Sequence, residues 1–232
     1  MSNIRRLGLI VPSSNTASER DFRRLMPGQV EVNTARMYLA KTTVSAERVM
    51  LDQHAPTAAE DLGTLHPDVV VFSCTSAGAL LGVEGEAALE QDLGARCGAP
   101  IVSTNASVAW RLAGLGVRRV AVVTAYVDAL NREIEATLAH RGFEVCMIRG
   151  MGITDNFAIG MVTPQEIADF CVDVVGDTPM DGLFISCTNL RSVEAVGELT
   201  DRLGVPVVTS NLAAAEAALA QLGLPGTGLG TQ

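Results

Sequence analysis

Two cysteines stand out by what surrounds them. Cys74 and Cys187 each close an apolar run, and each is the middle residue of a Ser-Cys-Thr triplet, followed by Ser76 in the first case and Asn189 in the second. They lie 113 positions apart, the same offset that separates Arg5-Arg6 from Arg118-Arg119, and both arginine pairs also precede apolar runs. A shared offset of this kind marks an internal repeat. A thiol at the carboxyl end of a strand, facing a helix N-terminus, meets unpaired N–H groups and a positive dipole end. These favour thiolate and can hold a carboxylate. Each repeat therefore offers a nucleophile or base beside an anion site. Two such thiols on opposite walls of one cleft can work on both faces of a planar or prochiral carbon. One sulfur adds to the substrate or removes a proton, and the other returns a proton. A lone cysteine after an apolar run is usually a small packing residue, so the duplicated context carries the reading. Cys97, Cys146 and Cys171 lack that context and read as packing residues.

The elements that position the thiols follow from hydrophobic period and turn residues. Residues 7–11 form an apolar strand ending at Pro12-Ser13-Ser14-Asn15-Thr16, and a helix over 17–25 takes Ser14, Asn15 or Thr16 as its cap. Residues 30–37 alternate apolar and polar, a second strand. A helical stretch over 45–65 is interrupted near Pro56, and the strand over 69–73 delivers Cys74. Residues 78–85 read as a glycine-containing loop, followed by a helix over 86–97, a short strand over 100–103 and a helix over 106–115.

The second half repeats the scheme. A strand over 120–124 ends near Tyr126, and a helix to 141 leads to a strand over 143–149. A loop over 150–160 holds Asn156, and Thr163-Pro164-Gln165-Glu166 opens a helix as a capping box. The strand over 183–186 delivers Cys187; a helix over 190–203, a strand over 205–209, a helix over 212–222 and a frayed Gly-rich tail over 224–232 complete the chain. Val102-Ser103-Thr104-Asn105 corresponds to Val208-Thr209-Ser210-Asn211, each after a Gly-x-Pro turn, with an offset of 106. The second repeat is thus shorter by seven residues after its cysteine. Strands alternating with helices predict an α/β fold of parallel sheets with right-handed crossovers and ligands at the carboxyl ends of strands. Asn15, Cys74, Thr104, Tyr126, Cys187 and Ser210 all fall at such ends. The expected architecture is two pseudo-symmetric parallel-sheet α/β lobes with the active site in the cleft between them.

Composition narrows the chemistry. With 232 residues, 48% hydrophobic, the chain can bury a sizeable core. A net charge of −9 argues against a nucleic-acid partner. No apolar run approaches the ~20 residues that span a bilayer, and the first is too short for a signal-peptide core, so no membrane partner and a cytoplasmic location are expected. Five cysteines without Cys-x-x-Cys or Cys/His spacing suggest no zinc site, and His54, His66 and His140 show no ligand spacing. Lys41 is the single lysine, in no context that suits a Schiff base. The pattern G-x-G-x-x-G and the Gly-Lys-Ser/Thr of a phosphate loop are both missing. The expectation is chemistry with no metal and no cofactor.

At this point the residues resemble the aspartate/glutamate racemase superfamily, and within it the branch containing maleate cis-trans isomerase and arylmalonate decarboxylase. The resemblance covers nearly the whole chain. It rests on Val11-Pro12-Ser13-Ser14-Asn15-Thr16, Ser73-Cys74-Thr75-Ser76, Gly116-Val117-Arg118-Arg119-Val120 with Thr124-Ala125-Tyr126, and Ser186-Cys187-Thr188-Asn189. Glutamate racemases have Asp-Ser-Gly after the first strand and Cys-Thr-His at the second cysteine; this chain has Pro12-Ser13-Ser14-Asn15 and Cys187-Thr188-Asn189. Arylmalonate decarboxylases have glycine where Cys74 stands. The resemblance therefore implies cofactor-independent cis-trans isomerisation of a small unsaturated dicarboxylate, maleate to fumarate. Cys74 is the nucleophile and Cys187 the acid/base. Asn15, Ser14, Thr75, Ser76, Tyr126, Asn156, Thr188 and Asn189 are the substrate-binding set, in which Asn15 also reads as a helix cap. It also implies that the C-terminal helix crosses back, giving lobes of 1–104 plus 210–232 and 105–209. A homodimer or higher homo-oligomer is the expected assembly. The alternatives are an amino-acid or hydantoin racemase using two thiols, an arylmalonate-type decarboxylase, and a non-catalytic small-molecule binding protein.

Overall fold

Eight strands form two separate four-stranded sheets in the computed structural model, which describes residues 4–229. The first contains β1 (Arg5–Pro12), β2 (Val30–Met37), β3 (Val69–Phe72) and β4 (Ile101–Ser103) in the order β2-β1-β3-β4. The second contains β5 (Arg119–Thr124), β6 (Glu144–Gly150), β7 (Gly182–Ser186) and β8 (Val207–Thr209) in the order β6-β5-β7-β8. Every pairing is parallel, with Leu7 opposite Val69 in one sheet and Val120 opposite Gly182 in the other. The same order occurring twice is the architecture expected of the repeat. Central strands β3 and β7 are buried along their whole length, so they read as continuous apolar runs rather than alternating ones.

Helices cover both faces of each sheet. On one face of the first, Leu7, Leu9, Val11, Val69 and Val71 pack against Phe22 of α1 (Ser18–Leu25) and against Ala214, Ala215, Ala218 and Leu219 of α10 (Ser210–Gln221). On the other face, Ile10, Val70 and Phe72 meet Leu62 of α3 (Ala55–Gly63) and Leu93 and Cys97 of α4 (Thr75–Cys97). Val108, Ala109 and Leu112 of α5 (Thr104–Gly114) enter the core around the second sheet, with Val120, Val122 and Leu183. That core also takes residues from α6 (Asp128–His140), α7 (Asn156–Met161), α8 (Pro164–Val175) and α9 (Val196–Leu203). The helix after each half's last strand thus packs on the other half's sheet, and α5 and α10 lie against each other. Among the described residues, no helix is long and apolar enough to cross a membrane.

Several elements depart from the sequence reading. Residues 78–85 are not a loop: α4 runs from Thr75 to Cys97, broken at Gly82, which is left-handed at φ 69°. Gly78 is helical, and it is glycine because nothing larger fits. An added Cβ would lie 2.5 Å from Glu86 Oε1 and 2.6 Å from Asn105 Nδ2. The interruption expected near Pro56 is a π-helical stretch, Met50–His54, between α2 (Val44–Val49) and α3, with Pro56 in the first turn of α3. The loop over 150–160 contains α7, whose start Asp155 caps through the N–H groups of Phe157 and Ala158. The capping box stands as read: the Glu166 N–H donates to Thr163 Oγ1 and the Thr163 N–H to Glu166 Oε2. The tail is anchored rather than frayed as far as it is described, by Thr227 N–H to Glu216 Oε1 at 2.8 Å and Arg111 Nη2 to the Leu229 carbonyl at 3.0 Å. Residues 230–232 of that expected tail lie outside the described residues.

Candidate active site

Strand ends bring the candidate residues together. Cys74 leaves β3 in extended backbone, φ −150° and ψ 104°, as the N-cap position of α4. Cys187 follows β7, Tyr126 lies two residues past β5, and Asn15 follows β1. All four are buried, with Cys74 4% and Cys187 3% exposed. The helix expected to open directly after Cys187 is absent. A turn over 188–190 and a 3-10 turn, Ser192–Ala195, precede α9, and the Asn189 N–H donates to the Cys187 sulfur at 3.4 Å.

The electrostatics correct the expectation of resting thiolates. Burial pushes the Cys74 thiol far above its ordinary range, and the Glu47 carboxyl pushes it further. The Ala77 N–H, in the first turn of α4, and the Ser76 hydroxyl pull it back only in part. Burial also raises Cys187, against the Tyr126 hydroxyl, which hydrogen-bonds its sulfur, and the N–H groups of Asn189 and Leu190. Burial raises Tyr126 too, and both sulfurs add to the effect. The donors at a helix start stabilise a thiolate, but for a buried sulfur desolvation is the larger effect.

A polar network ties the strand ends across the halves. Asn15 Oδ1 accepts from the N–H groups of Ala17 and Ser18 at 3.0 and 2.9 Å, capping α1, while its Nδ2 donates to Thr188 Oγ1 at 3.2 Å. Cap and cross-link are therefore served by one side chain. Thr188 Oγ1 donates in turn to the Ser73 carbonyl at 3.2 Å. Asn189 Oδ1 accepts from the Thr16 N–H at 2.7 Å, and its Nδ2 donates to the Asn156 carbonyl. Asn156 Nδ2 donates to Ser14 Oγ at 2.8 Å, and Ser14 donates to the Leu39 carbonyl. Thr75 Oγ1 donates to Ser210 Oγ at 2.9 Å, and Ser76 donates to Glu47. Nine of the ten candidate residues are buried and Ser14 is half-buried. Two loops pair through their backbones across the halves: the Thr42 N–H donates to the Thr154 carbonyl at 2.9 Å, and Lys41 and Asp155 form an isolated antiparallel β-bridge. Surface grooves lie elsewhere, such as one of about 660 Å³ lined by Glu19, Arg23, Asn33, Arg36 and Leu65.

Sequence reasoning missed four members. Ser18 donates to the Thr188 carbonyl at 2.9 Å and bonds Ser73 Oγ at 2.9 Å. Asn211 Nδ2 donates to the Thr188 carbonyl at 2.9 Å and to Asp21 Oδ2 at 2.8 Å. Its repeat equivalent Asn105 donates to the Thr75 carbonyl at 3.1 Å and to Glu86 Oε1 at 3.2 Å. So the residue after each cysteine has its carbonyl held by an asparagine that is itself fixed on a buried carboxyl. The matched Thr104-Asn105 and Ser210-Asn211 pairs carried that signal. Glu47 carried none, because Ser45-Ala46-Glu47-Arg48 reads as the solvated face of a helix. Among the described residues no three His, Cys, Asp or Glu side chains are grouped to hold a metal ion. The donors converging near the sulfurs are hydroxyls and amides, which can hold carboxylates and stabilise an enediolate.

Comparison with known proteins places this arrangement. The family model described as arylmalonate decarboxylase (Amdase) matches residues 7–231. The arylmalonate decarboxylase of Bordetella bronchiseptica is 31% identical, over 88% of this chain and 85% of that protein. A maleate isomerase of Pseudomonas putida is 26% identical, over 98% and 97%. Among solved structures, the Pseudomonas putida maleate isomerase Iso superposes with a TM-score of 0.90 at 25% identity, covering 96% of this chain and 94% of that one; a further structure of it contains maleate. Arylmalonate decarboxylase superposes at 0.80 with 28% identity, over 95% and 94%. The family match runs from within β1 past α10 and takes in both cysteine turns, and the chain belongs to the arylmalonate decarboxylase family, in the aspartate/glutamate racemase-like branch that also holds the maleate isomerases.

Proposed function

We propose that this chain isomerises maleate to fumarate without a cofactor, with Cys74 as nucleophile and Cys187 as acid/base. One observation carries the reading: two buried thiols at equivalent strand ends, Cys74 after β3 and Cys187 after β7. The Cys74 thiolate adds to one alkene carbon, and the C–S bond forms as the π pair moves onto the neighbouring carbon and its carboxylate. Cys187 gives its proton to that carbon. The resulting succinyl adduct has a single C2–C3 bond and rotates. Cys187 then takes the proton back, the C–S bond breaks, and fumarate leaves. Asn15, Tyr126 and the N–H groups after each cysteine hold the two carboxylates and the enediolate. Ser14, Thr75, Ser76, Asn156, Thr188 and Asn189 complete the binding set. Maleate isomerase relatives covering nearly the whole chain support the substrate.

NMR of the protein with maleate tests the reading, together with intact mass. Cys74→Ala abolishes both turnover and adduct. Cys187→Ser slows turnover and accumulates one added maleate on Cys74. Isomerisation at the wild-type rate by Cys74→Ala overturns the mechanism. Arylmalonate decarboxylation is the second reading, favoured by the relative at 31% identity. Cys74 opposes it, since the resemblance puts glycine there. Release of carbon dioxide from phenylmalonate, with maleate untouched, would replace the first reading by the second. We further propose lobes of 1–104 with 210–232 and 105–209, a cytoplasmic location, and a homodimer or higher homo-oligomer, the last tested by analytical ultracentrifugation.

A further inference from the structure

Glu47, on α2, is a wholly buried carboxyl group that the mechanism above does not use. Its Oε1 accepts a hydrogen bond from the Ser76 hydroxyl, and its Oε2 has no hydrogen-bond partner among the described residues. Burial raises it to about 7, the Ser76 hydrogen bond acts against that rise, and no cation is among the influences on it. Ser76 Oγ also lies 3.9 Å from Cys74 Sγ. The three groups form a line: sulfur, hydroxyl, carboxyl. The other titratable groups facing Glu47 are Cys187 and Tyr126.

We propose that Glu47 is the proton acceptor for Cys74, acting through the Ser76 hydroxyl. The inference rests on the isomerase reading for the assignment of Cys74 as nucleophile. In the step, the Cys74 S–H bond breaks and its proton passes to Ser76 Oγ. The proton of Ser76 passes to Glu47 Oε1, the sulfur keeps its electron pair, and the carboxylate becomes a carboxylic acid. The site carries one negative charge before and after. Desolvation, which opposes creating a buried charge, therefore opposes this transfer far less than loss of a proton to water. A thiol lifted by burial can become a nucleophile in this way without an adjacent cation. Glu47 is on this account a positioning and proton-holding residue, since it reaches the reacting sulfur only through Ser76.

The test needs no maleate, so its failure is separate from failure of the isomerase reading, which the NMR assay decides. The rate of iodoacetamide labelling of Cys74, mapped by peptide mass, is followed against pH in the wild type, Glu47→Gln and Ser76→Ala. In the wild type, labelling speeds up with pH through about 7, where Glu47 becomes a carboxylate able to take the thiol proton. In Glu47→Gln the midpoint moves up by at least about one pH unit, and labelling at neutral pH falls about tenfold. Ser76→Ala gives the same loss with the carboxyl still present, and carries the test alone if Glu47→Gln fails to fold. A carboxylate that merely repels the thiolate has the opposite sign. Its removal would lower the midpoint and speed labelling, and that result overturns the proposal. Unchanged midpoints in both variants overturn it as well.

Discussion

Burial lifts three carboxyl groups among the described residues, and of these only Glu47 has no cation beside it. Burial raises Glu47 to about 7 and Asp21 to about 6, and it raises Glu86 as well, against the neighbouring Arg141. In the folded state each keeps its proton over a pH range in which the unfolded chain has released it. Stability from this source is therefore full below the ordinary value of 4.5 for Glu47, declines as pH rises to about 7, and is flat above. Urea denaturation of Glu47→Gln should show a gain over the wild type above neutral pH, at most about 3 kcal/mol, and none below about pH 4. Tyr126 supplies a second expectation at this scale. Its hydroxyl hydrogen-bonds the Cys187 sulfur, so Tyr126→Phe should lower kcat about tenfold to a hundredfold while Cys74 still labels. The cysteines were legible because their context is duplicated. Glu47 was not, because its burial depends on α2 packing against α4, a contact between elements that the sequence of α2 does not encode.

At the scale of elements, glycine is where sequence and structure part. Gly78, Gly82 and Gly85 signal a loop, yet only Gly82 breaks the helix; Gly78 is there to let Glu86 and Asn105 approach. Composition does not distinguish a residue required for its backbone angle from one required for lack of bulk. Gly160 in α7 is another of the second kind, since an added Cβ would run into Thr16 Oγ1 and press on the Asn189 amide. Gly160→Ala should cost roughly 1–3 kcal/mol in urea denaturation. It should reduce maleate turnover by more than the stability loss accounts for, because Asn189 and Asn156 move with α7. The capping box, by contrast, was read from four residues in a row and depends on nothing distant. Thr163→Ala should cost about 1 kcal/mol and leave turnover unchanged.

For the whole molecule, the offset of 113 between the cysteines corresponds to two sheets of identical strand order. The duplicated motifs and the alternation of strands and helices reached two similar parallel sheets, not their strand order. They do not say which sheet a helix covers, and the crossing of the C-terminal helix came only with the family resemblance. The crossing matters for folding. Without α10, the face of the first sheet formed by Leu7, Leu9, Val11, Val69 and Val71 keeps only the cover of α1. A chain of residues 1–116 expressed alone should therefore aggregate or self-associate, measured by light scattering. Co-expression with residues 117–232 should restore a soluble heterodimer that turns over maleate.

Two sheets of one design, each capped by the other's last helix, have the form of a symmetric homodimer fused into one chain. In a true homodimer of that form both cysteines would be the same residue, and a flat substrate would meet equivalent walls. A single chain is not bound by that equivalence. Thr75 is followed by Ser76, which is bonded to a buried glutamate, and Thr188 by Asn189, which is bonded to the opposite half. A symmetric pair serves a reaction that treats left and right hands alike. A fused pair is free to let one wall form the bond to carbon and the other carry the proton, and so to give an achiral alkene a fixed sense of attack. Run in heavy water, the reaction should place deuterium on a single face of any trapped succinyl adduct.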